Sequence, residues 1–220
     1  GKARQMLKAA GADGLTLVTP TADTHSINPQ VRTDLPYDAT GHFVPLVVFG
    51  VLNWAWMARA DLPANNMKEF VALAKRQPGH YTYGSWGVGS TAHVAAALLE
   101  SAAGIQLNHI PYLGAAPALT GLQGGHVDLM PYAKQQAADL RAAGKVKILG
   151  ISAAQRATDL LTDVPTLAEQ GITGAECGSW YGIMAPKGLP DDVRNRLAAA
   201  LVKVVSLPEV AARIKAAGVD

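Results

Sequence analysis

The apolar positions of the chain fall into short runs with two different periods. In Lys2–Ala10 they recur as Ala3, Met6, Leu7 and Ala10, the spacing of an amphipathic helix, which Gly11 would stop. Leu15-Thr16-Leu17-Val18-Thr19 predicts a buried strand, and Pro20–His25 a polar turn. Ser26–Asp38, with Pro29 and Pro36, predicts irregular chain. Phe43–Met57 is rich in Val, Leu and Trp and predicts two strands divided near Gly50, the second beginning at about Asn53. Asn65–Gln77 predicts a helix with Met67, Phe70, Val71 and Ala74 on one face, ended by Pro78-Gly79.

The next stretch alternates more regularly. Tyr81–Tyr83 predicts a strand end, Gly84–Ser90 a Gly/Ser loop, and Thr91–Ala103 an Ala-rich helix closed by Gly104. Gln106–Ile110 predicts a strand, and Pro111–Ala116 a second small-residue loop that enters a helix over Ala116–Gln123, ended by Gly124-Gly125. A strand at Val127–Met130, a helix at Lys134–Ala143 stopped by Gly144, and a strand at Val146–Ser152 follow. Leu167–Gln170 predicts a short helix and Ser179–Ala185 a strand. Asp191 would cap a helix over Asp192–Val205, and Pro208 would start the last one, to Ala217. This alternation predicts an α/β fold with largely parallel sheets. No repeat period or low-complexity segment interrupts it.

Composition narrows the class. The 220 residues suffice for one large domain or two lobes, and a hydrophobic content of 49% against 16% charged residues supplies a core and argues against disorder. A net charge of +2 without a Lys/Arg run gives no reason to expect a nucleic-acid partner or an anionic membrane surface. Cys177 is the single cysteine, so no internal disulfide forms. No apolar run approaches the roughly 18 residues of a membrane-spanning helix. No signal peptide is visible, and both ends look cut from something longer.

The chemistry concentrates in Tyr83–His93, YGSWGVGSTAH. A strand, a glycine loop and a helix N-terminus together present unpaired backbone N–H groups and partial positive charge, which suit an anion. Gly84–Thr91 comes close to a phosphate-binding loop, but Ser90 stands where the lysine would be. Gly87–Ala92 matches the dinucleotide fingerprint G-x-G-x-x-A, but the following strand ends Leu107-Asn108-His109-Ile110, without the acid that would hold a ribose. Two readings stay open: the glycines merely turn the chain, or they cradle a small anion, most simply a carboxylate. In the second, backbone amides and the hydroxyls of Ser85, Ser90 and Thr91 would donate. Leu113-Gly114-Ala115-Ala116, also leading into a helix, repeats the logic.

Catalytic and metal readings find less support. The six histidines, His25, His42, His80, His93, His109 and His126, show no metal-ligand spacing. Ser90 and His93 lie three residues apart, without a G-x-S-x-G elbow. Cys177 has no visible base partner and is expected to be buried and inert. Trp54, Trp56 and Trp180 are expected to pack, whereas Trp86, inside the glycine loop, would wall a ligand or face solvent. No cofactor is called for. An α/β enzyme acting on a carboxylate or nucleotide is the alternative to a binding protein.

Several stretches together resemble the Bug-type periplasmic receptors of tripartite tricarboxylate transporters. They are Thr24–Pro29, Leu35–Asp38, Tyr83–His93, His109–Tyr112, Gly114–Gly125, Val127-Asp128, Asp163–Thr166 and Ser179–Gly182. They follow the family's order over essentially the whole chain. The resemblance implies two α/β lobes that close like a Venus flytrap on a di- or tricarboxylate, an amino acid or an aromatic acid. It also implies a periplasmic location, delivery to membrane components of the transporter, and no catalysis. Carried over by position, the contacts would be Ser85, Gly89, Ser90 and Thr91 in the first loop, Gly114 and Ala115 in the second, and Tyr132 after the next strand. Thr21 and His25 would contribute from the first lobe. Trp86 replaces a residue that is commonly small in the family and would narrow the pocket.

The expected division is a first lobe of 1–79 plus 184–220 and a second of 80–183, with hinges near Gly79–Tyr81 and Trp180–Ala185. Family members begin with a strand, a loop and a helix that would precede Lys2. The first lobe is therefore expected to be incomplete, with either impaired ligand binding or self-association through its exposed edge as the consequence.

Overall fold

The computed structural model of the protein describes residues 11–158 and 160–219. The helix expected over Lys2–Ala10 lies outside the described residues. The chain forms two compact units, one of residues 1–52 and 179–220, the other of residues 53–178.

In the first unit, a π-helical turn, Asp23–Ile27, runs into the one-turn helix α1 (Asn28–Val31). The chain expected to be irregular after Ser26 is therefore helical at its start. The strand expected at Leu15–Thr19 does not form. Asp13 Oδ1 accepts from the Leu15 N–H at 2.9 Å and Gly14 takes a φ of 82°, so a local turn competes with strand pairing. Leu15 is 87% exposed, and only Val18 pairs, in an isolated antiparallel bridge to Met184. The strand β1 (Phe43–Arg59) is continuous through Gly50, where a break was expected. Its partners along the sheet hold it extended, which outweighs the weak strand preference of one glycine.

The Phe43–Leu52 part of β1 belongs to this unit, and β1 pairs with β6 (Gly178–Pro186). The approach is close at Gly182, where a Cβ would lie 2.7 Å from the Val47 carbonyl oxygen. The helices α6 (Asp191–Val205) and α7 (Pro208–Ala216) close the chain. Val193, Leu197 and Leu201 of α6 cover the buried cluster of Leu46, Ala185 and Leu189.

The second unit holds the sheet that positions the candidate site. Its helices and strands are α2 (Met67–Arg76), β2 (Thr82–Ser85), α3 (Thr91–Ala103), β3 (Asn108–Pro111), α4 (Ala115–Gln123), β4 (Leu129–Ala133), α5 (Lys134–Ala142) and β5 (Val146–Ile151). The strand order is β3-β2-β4-β1-β5. β2 runs parallel to β3 and β4, while β1 is antiparallel to β4 and β5, so four of the five strands point the same way. Residues 53–79 belong here and not with the first unit. The reason is that Ala55–Ala58 of β1 are paired on both sides, by β4 and β5, and α2 packs against β5.

Local chemistry explains the helix ends. Asn66 caps α2 by accepting from the Glu69 N–H, and Glu69 reaches back to the Asn65 N–H at 2.7 Å. Met67, Phe70 and Ala74 form its buried stripe. Ser90 caps α3, and Gly104, left-handed at φ 62°, ends it where the sequence predicts. Right-handed crossovers place α3 and α4 on opposite faces, because β2 to β3 and β3 to β4 move in opposite directions. Ala118 and Leu122 of α4 and Ala137 of α5 share one buried cluster with Met57, Met130, Ile148 and Ile151.

Candidate functional site

The strand register gathers four loops on one edge of the second unit. Ser85, which ends β2, faces Pro111, which ends β3, and Tyr83 faces Leu129 of β4. Ala55 of β1 faces both Tyr132 of β4 and Ile151 of β5. The carboxyl ends of β2, β3, β4 and β5 therefore lie together, and α3, α4 and α5 begin there. Between the neighbours β2 and β4 the outgoing helices leave toward opposite faces. That crevice is the place where open α/β sheets take ligands.

The loop after β2 holds itself together. The Ser85 hydroxyl accepts from the Gly87 N–H at 3.1 Å and lies 2.6 Å from His109 Nε2. The Ser90 hydroxyl donates to the Gly87 carbonyl at 2.7 Å and accepts from the His93 N–H at 3.3 Å. The Gly89 N–H donates to His93 Nδ1 at 3.2 Å, which leaves the His93 proton on Nε2. Gly87 (φ 126°) and Gly89 (φ 76°) occupy conformations that side chains with a Cβ disfavour. Ser85 and Thr91 are fully buried and Ser90 nearly so. The hydroxyls of Ser85 and Ser90 are thus committed to shaping the loop, and the backbone amides of the helix start are left as the main donors to an anion.

Behind the loop stands a column of rings. Tyr83 stacks on His109 at 4.7 Å between centroids, and His109 on His93 at 4.4 Å. Burial, then the neighbouring His93, pulls the His109 pKa below the usual histidine value. Burial, then Glu100, pushes the Tyr83 hydroxyl well above its own.

The second loop is tied to the first by the Tyr112 N–H, which donates to the Ser85 carbonyl at 2.9 Å. Gly114, at φ 129°, is the N-cap of α4, and Ala115 opens the helix. Tyr132, near the end of β4, packs against the cluster that α4 and α5 share. Lys134, the first residue of α5, is 3% exposed at this edge. Trp86 packs edge-to-face on Trp54 at 5.1 Å and also against the α4–α5 cluster.

The structure thus places Ser85, Trp86, Gly89, Ser90, Thr91, Gly114, Ala115 and Tyr132 on one edge of the second unit. Thr21 and His25 lie in the first unit. The Thr21 N–H donates to Thr24 Oγ1 at 3.0 Å, which starts the π-helical turn. His25 Nδ1 meets the Thr24 hydroxyl at 2.9 Å, and its ring packs among Tyr37, Phe43 and Trp180. Burial lowers the pKa of His25, and its Nε2 is buried with no hydrogen-bond partner. Cys177, expected to be buried, is only half-buried, with its thiol 4.0 Å from the Thr91 carbonyl. Among the described residues, no group of three or more His, Cys, Asp or Glu side chains could hold a metal ion. The sequence names His109 without a partner, and its contact with Ser85, 24 residues away, is new, while Trp54 packs as expected. No local motif signals the His109 contact, because the pairing of β2 with β3 creates it.

The chain matches a family model described as the tripartite tricarboxylate transporter family receptor over residues 2–220. It is 34% identical over 186 residues to a UPF0065 protein in the tcbD-tcbE intergenic region of Pseudomonas sp. (strain P51), covering 84% of this chain and 55% of that relative. It therefore spans about half of that relative's length. Two solved structures from Rhodopseudomonas palustris superpose closely. One, with adipate, gives a TM-score of 0.91 at 27% identity and covers 100% of this chain and 73% of the other. The second, MatC with bound malate, gives 0.84 at 28% identity, with coverage of 99% and 73%.

Proposed function

Because the chain belongs to the tripartite tricarboxylate transporter receptor family, we propose that it captures a small organic acid outside the cytoplasm for the membrane components of such a transporter, without chemical change to the ligand. The observation that carries this reading is the bond from the Tyr112 N–H to the Ser85 carbonyl, which joins two helix-entering loops at the crevice between β2 and β4. Amides in the first turn of a helix find no acceptor within that helix. Those of Ala92, Ala115 and Ala116 are proposed as donors to a carboxylate, aided by the positive ends of α3, α4 and α5. Two similar proteins hold adipate and malate, and the chemistry common to those ligands is the carboxylate.

Ser85, Gly89, Ser90 and Thr91 shape the first loop in this reading, Gly114 and Ala115 the second, and Trp86 and Tyr132 flank them. Thr21 and His25 are carried by the family resemblance. Among the described residues, no helix is long and apolar enough to cross a membrane. Calorimetry and thermal-shift titration of the purified protein with malate, adipate, citrate, benzoate, ATP and NAD test the proposal. Stabilisation by one or more of the acids is expected, by roughly 2.7 kcal/mol at a hundredfold excess over the dissociation constant. A shift with the nucleotides alone would replace this reading with that of an enzyme.

A further inference from the structure

Trp54 carries a donor that nothing described in the structure receives. Its indole is 5% exposed, and Nε1 is shut off from solvent with no hydrogen-bond acceptor. The neighbouring indole differs, since Trp56 Nε1 donates to Ser152 Oγ at 2.8 Å. Folded proteins almost always pair such a buried donor, with protein, water or a ligand. Trp54 faces Ala133, the last residue of β4. Trp86 follows β2, on the other side of β4. The edge-to-face contact of the two indoles therefore closes over the carboxyl end of β4, where α3, α4 and α5 begin.

From this placement we infer that Trp54 is a specificity-determining residue: its Nε1–H donates to an acceptor on the bound acid while Trp86 lies against the body of that acid. The paired indoles favour a flat apolar body, as in an aromatic carboxylate, through dispersion and ring-quadrupole contact. A short hydroxylated acid in the same place would give up water around its hydroxyl for ring faces that offer no acceptor. The inference rests on the carboxylate-receptor reading and goes beyond it, because the family resemblance implicates Trp86 alone and the sequence pattern gives Trp54 only a packing role.

Three acids, benzoate, adipate and malate, test it on the purified protein by calorimetry, with the four indole N–H signals followed by nitrogen–proton correlation spectra. Benzoate is expected to bind about tenfold or more tightly than malate. Trp54→Phe, which keeps a ring and removes the donor, is expected to weaken benzoate binding about tenfold or more, as loss of a charge-assisted hydrogen bond does. In the wild-type protein the assigned Trp54 Nε1–H signal is expected to move downfield on saturation, a readout that holds even where the variant does not fold. An unmoved Trp54 signal, an unchanged affinity in a folded Trp54→Phe, or a preference for malate overturns the inference and leaves the receptor reading standing. Failure of all three acids to bind overturns the inference, and failure of citrate as well removes the receptor reading with it.

Discussion

The imidazoles of His93 and His109 lie nearly parallel, 9° apart, with centroids 4.4 Å from each other. Each also holds one end of the loop after β2: His93 accepts from the Gly89 N–H, and His109 meets the Ser85 hydroxyl. The stack thus fixes the loop after β2 from behind. Burial and the neighbouring His93 both disfavour a second proton on the His109 ring.

A pH dependence follows. The His109 pKa is lowered in the folded protein from an ordinary 6.5, by burial and by His93. Its neutral form is thus favoured by folding. The stability it contributes is complete above about pH 6.5 and falls as pH drops through the lower folded value. Tyr83 and His93 are the titratable groups stacked on it, and Glu100 acts on Tyr83. The His25 pKa is lowered in the same sense, so acid acts on both units. Thermal unfolding from pH 8 to pH 5 is expected to show a falling Tm. His109→Gln should flatten that fall and His25→Asn should flatten a separate part of it. A His109→Gln protein as acid-sensitive as the wild type would refute the role of the stack.

Gly87 and Gly89 are the loop's conformational requirement. At φ 126° and 76° neither position suits alanine, and the left-handed region costs about 1–2 kcal/mol for a residue with a Cβ. Gly87→Ala is expected to lower stability by at least that much and to weaken acid binding. Gly104→Ala (φ 62°), at the far end of α3, should lower stability by a similar amount and leave affinity alone. Urea unfolding and calorimetry on both variants separate the two effects.

Trp56 makes a buried hydrogen bond to Ser152 across the sheet, over 96 residues of sequence. Ser152→Ala would orphan the indole N–H at a cost of about 1–3 kcal/mol. The expected outcome is a lower urea midpoint with an unchanged slope, measured by tryptophan fluorescence.

How far the sequence reaches can be judged element by element. α3 is legible to the residue because Ser90 and Gly104 encode its ends locally. Gly50 misleads because pairing overrides it, and Leu15–Val18 misleads because Asp13 and Gly14 bend the chain before any partner can pair it. The glycine loop of the candidate site is visible in the motif. The His109 column, the bond from Tyr112 to Ser85 and the orphaned Trp54 donor are not. They arise from the register of β2 with β3 and of β1 with β4, and register is a property of the folded sheet.

Asp128 offers a test of whether scaffold and site can be separated. Its carboxylate accepts from the Thr82 N–H at 2.8 Å, from the Thr82 hydroxyl at 2.9 Å and from Arg59 Nε at 2.8 Å. It therefore pins the amino ends of β2 and β4 to the end of β1, at the sheet edge opposite the loops. The Asp128 side chain is 17% exposed and Arg59 31%, so the pair is only partly desolvated. Removing the carboxylate strands the Thr82 backbone donor, while Arg59 keeps its ion pair with Asp61, so the cost is about 1–3 kcal/mol. Asp128→Ala is thus expected to unfold at a distinctly lower temperature while binding the acid with wild-type affinity at 15 °C. Asp128→Asn, which keeps one acceptor, should lose roughly half as much stability. An affinity loss in folded Asp128→Ala would mean that the loops depend on strand register at the far edge, and the site would then have to be treated as one mechanical unit with the whole sheet.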